Sequence, residues 1–158
     1  MKTMMIEILT IRKIRTDDFE PLYELLADPE VMEFLEPPFT RDRTMRFLES
    51  AGLSDPPLIY AVENEKGDFI GYVIYHDYDE DSKEIGWVLK KYAWGKGFAK
   101  QLTEQLIARA YSEGKSTVIE CVPEQVVTKH LAELFGFTYT GRIEGRDVYR
   151  LGFHGNGS

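Results

Sequence analysis

Cysteine is almost absent from this chain, and that excludes two classes of protein at once. Cys121 is the one cysteine among 158 residues, so no internal disulfide can form and no cysteine cluster can hold a metal. Its setting, "TVIECVPE", reads as a buried strand, where a thiol packs as an inert core group rather than serving as a nucleophile. Long apolar runs are missing too. No stretch reaches the ~18 apolar residues of a membrane span, and "MKTMMIEILT" has neither the apolar core nor the cleavage site of a secretory leader. Positive charge is in deficit: 19 Lys and Arg against 27 Asp and Glu leave a net charge of −8. That balance argues against nucleic acid as a partner and leans toward cations such as amines, although many acidic proteins bind neither. There is no internal repeat, low-complexity tract or composition break. These absences imply one cytoplasmic domain over residues 1–153, without a membrane partner, followed by a flexible tail at 154–158, "HGNGS".

What is present is an alternation of strands and helices. "IEILTIRKIR" alternates apolar and polar residues and predicts a first strand. Thr16 then caps a helix with Leu22, Leu25 and Leu26 on one face, and Pro29 and Pro37-Pro38 set off a short second helix. "FTRDRTMRFLESAG" predicts a further helix, capped by Thr40 and stopped near Gly52. Three strands follow, "PLIYAVEN", "DFIGYVIYHD" and "KEIGWVLKK", joined by turns short enough for antiparallel hairpins. "GFAKQLTEQLIARAYSEG" is the clearest helix, with Phe98, Leu102, Leu106 and Ala110 four residues apart. "STVIECV" is a buried strand, "PEQVVTKHLAELFG" a helix with Pro123 in its first turn, and "FTYTGRIEGRDVYRLGF" a closing hairpin. The expected fold class is α/β: a single domain with a mixed, mostly antiparallel sheet of about six to seven strands flanked by helices.

The glycine pair of "KKYAWGKGFAK" asks for a reason, since glycine inside a helix costs ~1 kcal/mol against alanine. One reason is a capping turn. The other is an anion: free amides and the positive end of a helix dipole converge here, Gly95 and Gly97 permit close approach, and Lys96 and Lys100 add charge. The Walker string is absent, and the dinucleotide fingerprint has Lys100 at its third glycine position, although Glu120 stands near the distance of a ribose-binding acid.

The stretch from Glu84 to Ala110 resembles the acetyl-CoA-binding core of the GNAT superfamily of N-acetyltransferases. The superfamily signature Q/R-x-x-G-x-G/A is matched by W-G-K-G-F-A at 94–99, with Trp94 in place of Gln or Arg. The branch that includes the ribosomal-protein N-acetyltransferases is echoed by "IRKIRTDDFEPLYELLADPEVMEFL" and by Gln125, Thr128, Gly136 and Phe137. The resemblance spans residues 6–151. It implies acetyl-CoA as co-substrate and no metal. It assigns the pyrophosphate to Gly95, Lys96, Gly97, Phe98, Ala99 and Lys100, and the pantetheine arm to the backbone of Val88, Leu89 and Lys90. Gln125 and Thr128 would face the cofactor near its sulfur.

Acetyl transfer to an amine needs a base, because an ammonium ion has no lone pair. Glu84 is the expected base, since period-two alternation places Glu84, Gly86 and Val88 on one strand face; Glu120 and His76 are the alternatives. The tyrosine that many GNAT enzymes use as acid would fall at Ala132, which leaves Thr128 as the catalytic group near the thiolate. The expected acceptor pocket is lined by Glu33, Phe34, Glu36, Phe39, Tyr60, Tyr75 and His76. The implied activity is N-acetylation of a primary amine, either a protein N-terminus or a small amine. The alternative is a non-catalytic acyl-CoA-binding module. The closing hairpin, near a sheet edge, suggests a homodimer.

Overall fold

The computed structural model describes residues 6–153; the expected tail at 154–158 lies outside them. One sheet carries seven strands in the order β1-β2-β3-β4-β5-β7-β6. The strands are β1 (Thr10–Arg12), β2 (Ile59–Glu63), β3 (Phe69–Asp79), β4 (Ser82–Leu89), β5 (Ser116–Cys121), β6 (Thr138–Ile143) and β7 (Arg146–Leu151). Every pairing is antiparallel except β4 with β5. The helices are α1 (Phe19–Leu26), α2 (Arg41–Phe47), α3 (Phe98–Ser112) and α4 (Val126–Leu134). A parallel pair cannot be closed by a hairpin, and α3 supplies the crossover between β4 and β5.

Side-chain alternation gives the sheet two buried faces. Leu22, Leu25 and Leu26 of α1, with Leu48 and Ala51 beyond α2, pack on Ile59, Ala61, Tyr72 and Val88. Phe98, Leu102, Leu106 and Ala110 of α3, with Ala132 and Phe137, pack on Val73, Tyr75, Ile85, Leu89 and Ile119. The four-residue spacing on α3 is therefore the spacing of its core face. Cys121 lies in this second cluster, and burial pushes its thiol pKa up.

Three of the boundaries that differ from expectation have an identifiable hydrogen-bonding reason. β1 has three residues. Just before it, Gln101 of α3 accepts from the Leu9 amide at 2.7 Å and donates to the Glu7 carbonyl at 2.8 Å. Those backbone groups are satisfied by a helix rather than by a strand ladder. The short second helix does not form. Asp28 accepts from the Glu30 amide at 2.9 Å, a local turn that competes with a helix, and the Phe39 amide returns to the Leu26 carbonyl at 2.9 Å. α4 begins at Val126 rather than Pro123, because the Gln125 side chain and amide both close onto Val122 at 3.0 Å. Thr40 does cap α2, accepting from the Arg43 amide at 3.1 Å.

Candidate active site

β4 and β5 pair over three residues only: Ser82, Lys83 and Glu84 against Ser116, Thr117 and Val118. Beyond Glu84, β4 stays paired with β3 as far as Leu89 and leaves β5. A seam thus opens inside the sheet. The direction of its backbone groups follows from one bond: the Lys90 amide donates to the Ile70 carbonyl of β3 at 2.8 Å. Backbone groups alternate sides along a strand, so Val88 and Lys90 face β3 while Trp87 and Leu89 face the seam. A Cβ built on Gly71 of β3 would strike the Val88 carbonyl, which agrees with that direction. Of the three strand-end residues expected to hold the pantetheine arm, Leu89 alone offers its amide and carbonyl to the seam. Val88 and Lys90 support it from the far side.

The Leu89 carbonyl already has a partner. Trp94 leaves its ring half in solvent and donates its indole N–H to that oxygen at 3.0 Å. The side chain that replaces the usual Gln or Arg therefore ties the glycine loop to the seam. Gly95 (φ +72°) and Gly97 (φ +79°) are both left-handed, and a Cβ on either would meet nothing within 4 Å. Gly97 is the residue before α3, so the open space above it faces the helix amides that lack a partner one turn earlier. Lys96 and Lys100 are exposed beside it, whereas the Phe98 ring is buried in the core, so that only its backbone is available to a ligand. Ala99 is half-buried, and its carbonyl accepts from Thr103 at 2.7 Å. The cradle is shaped for an anion, and its donor set fits a pyrophosphate.

At the fork of the seam stand the groups that can move a proton. Glu84 is opposite His76 on β3 and beside Val118 on β5. Alternation then puts His76, Tyr78, Glu84 and Glu120 on one face, the α1–α2 face. The His76 Nε2 lies 3.7 Å from the Glu84 carboxylate, and Tyr78 donates to Glu120 at 2.6 Å. Burial pushes the Glu84 carboxyl above the ordinary glutamate range; His76 draws it down, Glu120 pushes it further up and Arg146 draws it down. The hydrogen bond to Glu120, with burial, pushes the Tyr78 phenol up to about 12, so it stays a donor at neutral pH.

Glu84 and Thr128 are not neighbours on one surface. Ala132 packs in the α3-side cluster, which puts α4, with the half-buried Thr128 in its first turn, on the face of the sheet opposite Glu84. The Oε1 of Gln125 is occupied by the Val122 amide. The expected acceptor wall also divides. Tyr60 and Tyr75 lie on the α3 face, where Arg109 sits 4.8 Å over both rings and Tyr75 donates to Glu113. His76 points the other way, because adjacent strand residues alternate. Phe39 is buried against Phe47, and Glu36 pairs with Arg43 at 2.6 Å, whereas Glu33 and Phe34 remain exposed. A depression of about 560 Å³ opens beside the end of β4, and its Lys90 is matched to Glu24 at 3.1 Å.

Tyr78 and the anchoring of α4 were not apparent from the residues alone. The alternation in "YHDYD" puts Tyr78 on the His76 face, which is the signal that could have found it. Asp147, 1% exposed, holds α4 through Lys129 at 3.3 Å and β6 through Arg142 at 2.8 Å. Arg142, aided by Lys129, keeps its carboxyl below the ordinary range against the effect of burial. Among the described residues no group of three or more His, Cys, Asp and Glu could hold a metal, and no helix is long and apolar enough to cross a membrane.

Residues 9–138 match the family model of the acetyltransferase (GNAT) domain, and the chain belongs to that family. It is 28% identical over 167 residues to the uncharacterized N-acetyltransferase p20 of Bacillus licheniformis, with 94% of either chain covered. A GNAT-family acetyltransferase from Bacillus anthracis shares the fold with a TM-score of 0.78 at 22% identity, over 94% of this chain and 96% of that one. The spermidine N-acetyltransferase of Vibrio cholerae, solved in complex with CoA and spermine, superposes with a TM-score of 0.74 at 22% identity, over 90% and 92%. The protein is an acetyl-CoA-dependent N-acetyltransferase of the GNAT type.

Proposed function

We propose that this chain moves the acetyl group of acetyl-CoA to a primary amine, a protein N-terminus or a small amine, by direct attack in a ternary complex. The observation that carries the reading is a half-buried carboxylate, Glu84, at the fork of an open seam, with an anion cradle at the seam's outer end. The pyrophosphate rests on the amides between Gly95 and Lys100, and the pantetheine arm follows Leu89 and Trp87 like an added strand. Glu84 takes a proton from the incoming ammonium, the freed lone pair attacks the thioester carbonyl, and seam-facing amides stabilise the oxyanion. Thr128 and Gln125 sit at the sulfur end, where the departing thiolate takes up the second amine proton. The acidic face of the site and the pairing of CoA with spermine in the Vibrio cholerae protein support an amine as acceptor. The ribosomal-protein branch is favoured by Trp94 and by the run from Gln125 to Phe137.

A panel of polyamine, aminoglycoside, small-amine and peptide N-terminal acceptors, scored for CoA release, tests the activity. Release with one class is expected; tight CoA binding without release for any class would refute transfer. A homodimer is proposed through the outer strand β6, whose Tyr139 and Ile143 are 50% and 58% exposed. A monomer mass by light scattering would refute it.

A further inference from the structure

The Glu84 carboxylate is partly buried, and a proton it accepts has to leave before the next turnover. We infer that His76 is its way out: Glu84 and His76 work as one relay, in which the proton taken from the amine passes from the carboxyl to Nε2 and from the ring to solvent. The inference rests on the acetyltransferase reading and assigns a proton path within the same site.

The geometry that carries it is the fixed orientation of the ring. His76 Nδ1 lies 2.9 Å from the Asp77 carbonyl oxygen. A carbonyl only accepts, so Nδ1 carries the hydrogen and the neutral ring presents its lone pair at Nε2. Nε2 lies 3.7 Å from the Glu84 carboxylate across the β3–β4 pair, just outside direct hydrogen-bond distance, so the proton crosses on a small closure of the two side chains or over one water. Before turnover the carboxylate and the neutral ring are both acceptors, so the pair can take up one proton, held first as carboxylic acid with imidazole and then as carboxylate with imidazolium. The side chains are 23% exposed for Glu84 and 28% for His76, so the ring has solvent contact of its own.

The surroundings hold the pair to this role. On β3, Tyr78 lies on the same face and donates to Glu120, while Asp77, on the other face, is tied to Lys83 at 2.7 Å. On β5, Glu120 adds negative charge beside Glu84; on β7, Arg146 supplies the opposing positive charge. Arg150 of β7, register partner of Val118, lies 5.2 Å over the Tyr78 ring and bonds Asp79 at 3.3 Å. The step balances. The ammonium gives a proton to Glu84, and its nitrogen lone pair forms the bond to the acetyl carbon. The C–S bond breaks, and the thiolate accepts the second amine proton. The first proton moves from Glu84 to Nε2 and leaves from the imidazolium, with Nδ1–H still donating to the Asp77 carbonyl.

The test combines kinetics with spectroscopy on the intact chain. His76→Gln should keep acetyl-CoA affinity, lower kcat/KM about tenfold and move the acidic limb of the pH–rate profile to higher pH, because Glu84 loses the cation that draws its proton off. Free imidazole should restore part of the rate of His76→Ala. Ring ¹⁵N shifts of the wild type should show Nδ1–H in the neutral ring, and Nε2 should share its inflections with the Glu84 carboxyl ¹³C signal. A neutral ring protonated at Nε2, or a His76→Gln rate loss with an unmoved acidic limb, would overturn the relay. If the wild type acetylates no amine, the relay falls together with the transfer reading. If it turns over while the ring and carboxyl signals titrate independently, the relay alone falls.

Discussion

Gly97→Ala separates the anion cradle from the backbone that builds it. The residue sits at φ +79° with nothing within 4 Å of an added Cβ, so the methyl group itself meets no steric obstacle in the free protein. What it meets is the left-handed conformation, which costs an L-residue ~1–2 kcal/mol. For a domain of this size that is a Tm loss of about 2–8 °C, at ~2–4 °C per kcal/mol. Gly114, φ +72° and equally open, lies just past the other end of α3 and makes a matched control. Gly114→Ala should lose the same Tm. The two variants should differ in CoA binding. A methyl group at 97 stands over the amides of the first turn, or turns them away if the backbone relaxes. Losing one charge-assisted hydrogen bond, ~1.5–3 kcal/mol, weakens CoA by about 10- to 150-fold. Calorimetry with CoA, beside thermal melts of both variants, reads the two quantities. A folded Gly97→Ala protein with the affinity of Gly114→Ala would remove the loop from the site.

Glu84→Gln should keep acetyl-CoA affinity, lower kcat/KM by about 10² or more and flatten the acidic limb of the pH profile, which in the wild type should lie above the ordinary glutamate range; a wild-type profile and rate in the mutant would acquit the residue. Thr128→Ala should be milder, about tenfold in kcat, since a thiolate leaves tolerably unassisted, and a 10³-fold loss would call for a direct proton donor there. Trp94→Phe deletes the indole donor to Leu89 and should weaken CoA about fivefold through a loosened loop, ~1 kcal/mol for one hydrogen bond; unchanged or tighter binding would show that the indole only covers the carbonyl. Asp18→Asn tests acid stability. Burial would raise the Asp18 carboxyl pKa, but the paired bonds from Arg12 at 2.8 Å and the Arg15 amide at 2.7 Å hold it below the ordinary range. Its stabilisation is full above the unfolded aspartate value of about 3.9 and is lost as pH falls through the lower folded value. The Tm gap between wild type and mutant should be widest near neutrality and close in acid, and a constant gap down to pH 2 would refute the linkage.

The parts of this molecule that could be read in advance are those whose cause is local. Gly95 and Gly97 announce left-handed turns, and the four-residue spacing of Phe98 to Ala110 announces the core face of α3, without any distant partner. β1 begins no earlier than Thr10 because Gln101, some ninety residues on, takes the backbone groups of Glu7 and Leu9. The side to which Leu89 presents its amide depends on which strand pairs with Val88 and Lys90, and alternation alone does not choose. The same holds for Glu84. Its face was legible, but its burial, its distance from His76 and its separation from Thr128 arise from β3, β5 and α4 meeting around it. Tyr75 and His76 show the opposite failure, since a strand read as one wall presents successive residues to two different faces.

The brief contact between β4 and β5 also bears on how the whole sheet holds together. Three paired residues and the crossover helix join a four-stranded half, β1 to β4, to a three-stranded half, β5 to β7. Each half has an inner border with main-chain groups that no strand satisfies beyond Glu84. A ligand with amides of its own, laid in the seam, bridges both borders and acts as a removable structural member. The melting temperature should then climb with the logarithm of its concentration above Kd. The gain should be concentrated in the slowed hydrogen exchange of Trp87 and Leu89, while the outer strand β1 exchanges as before.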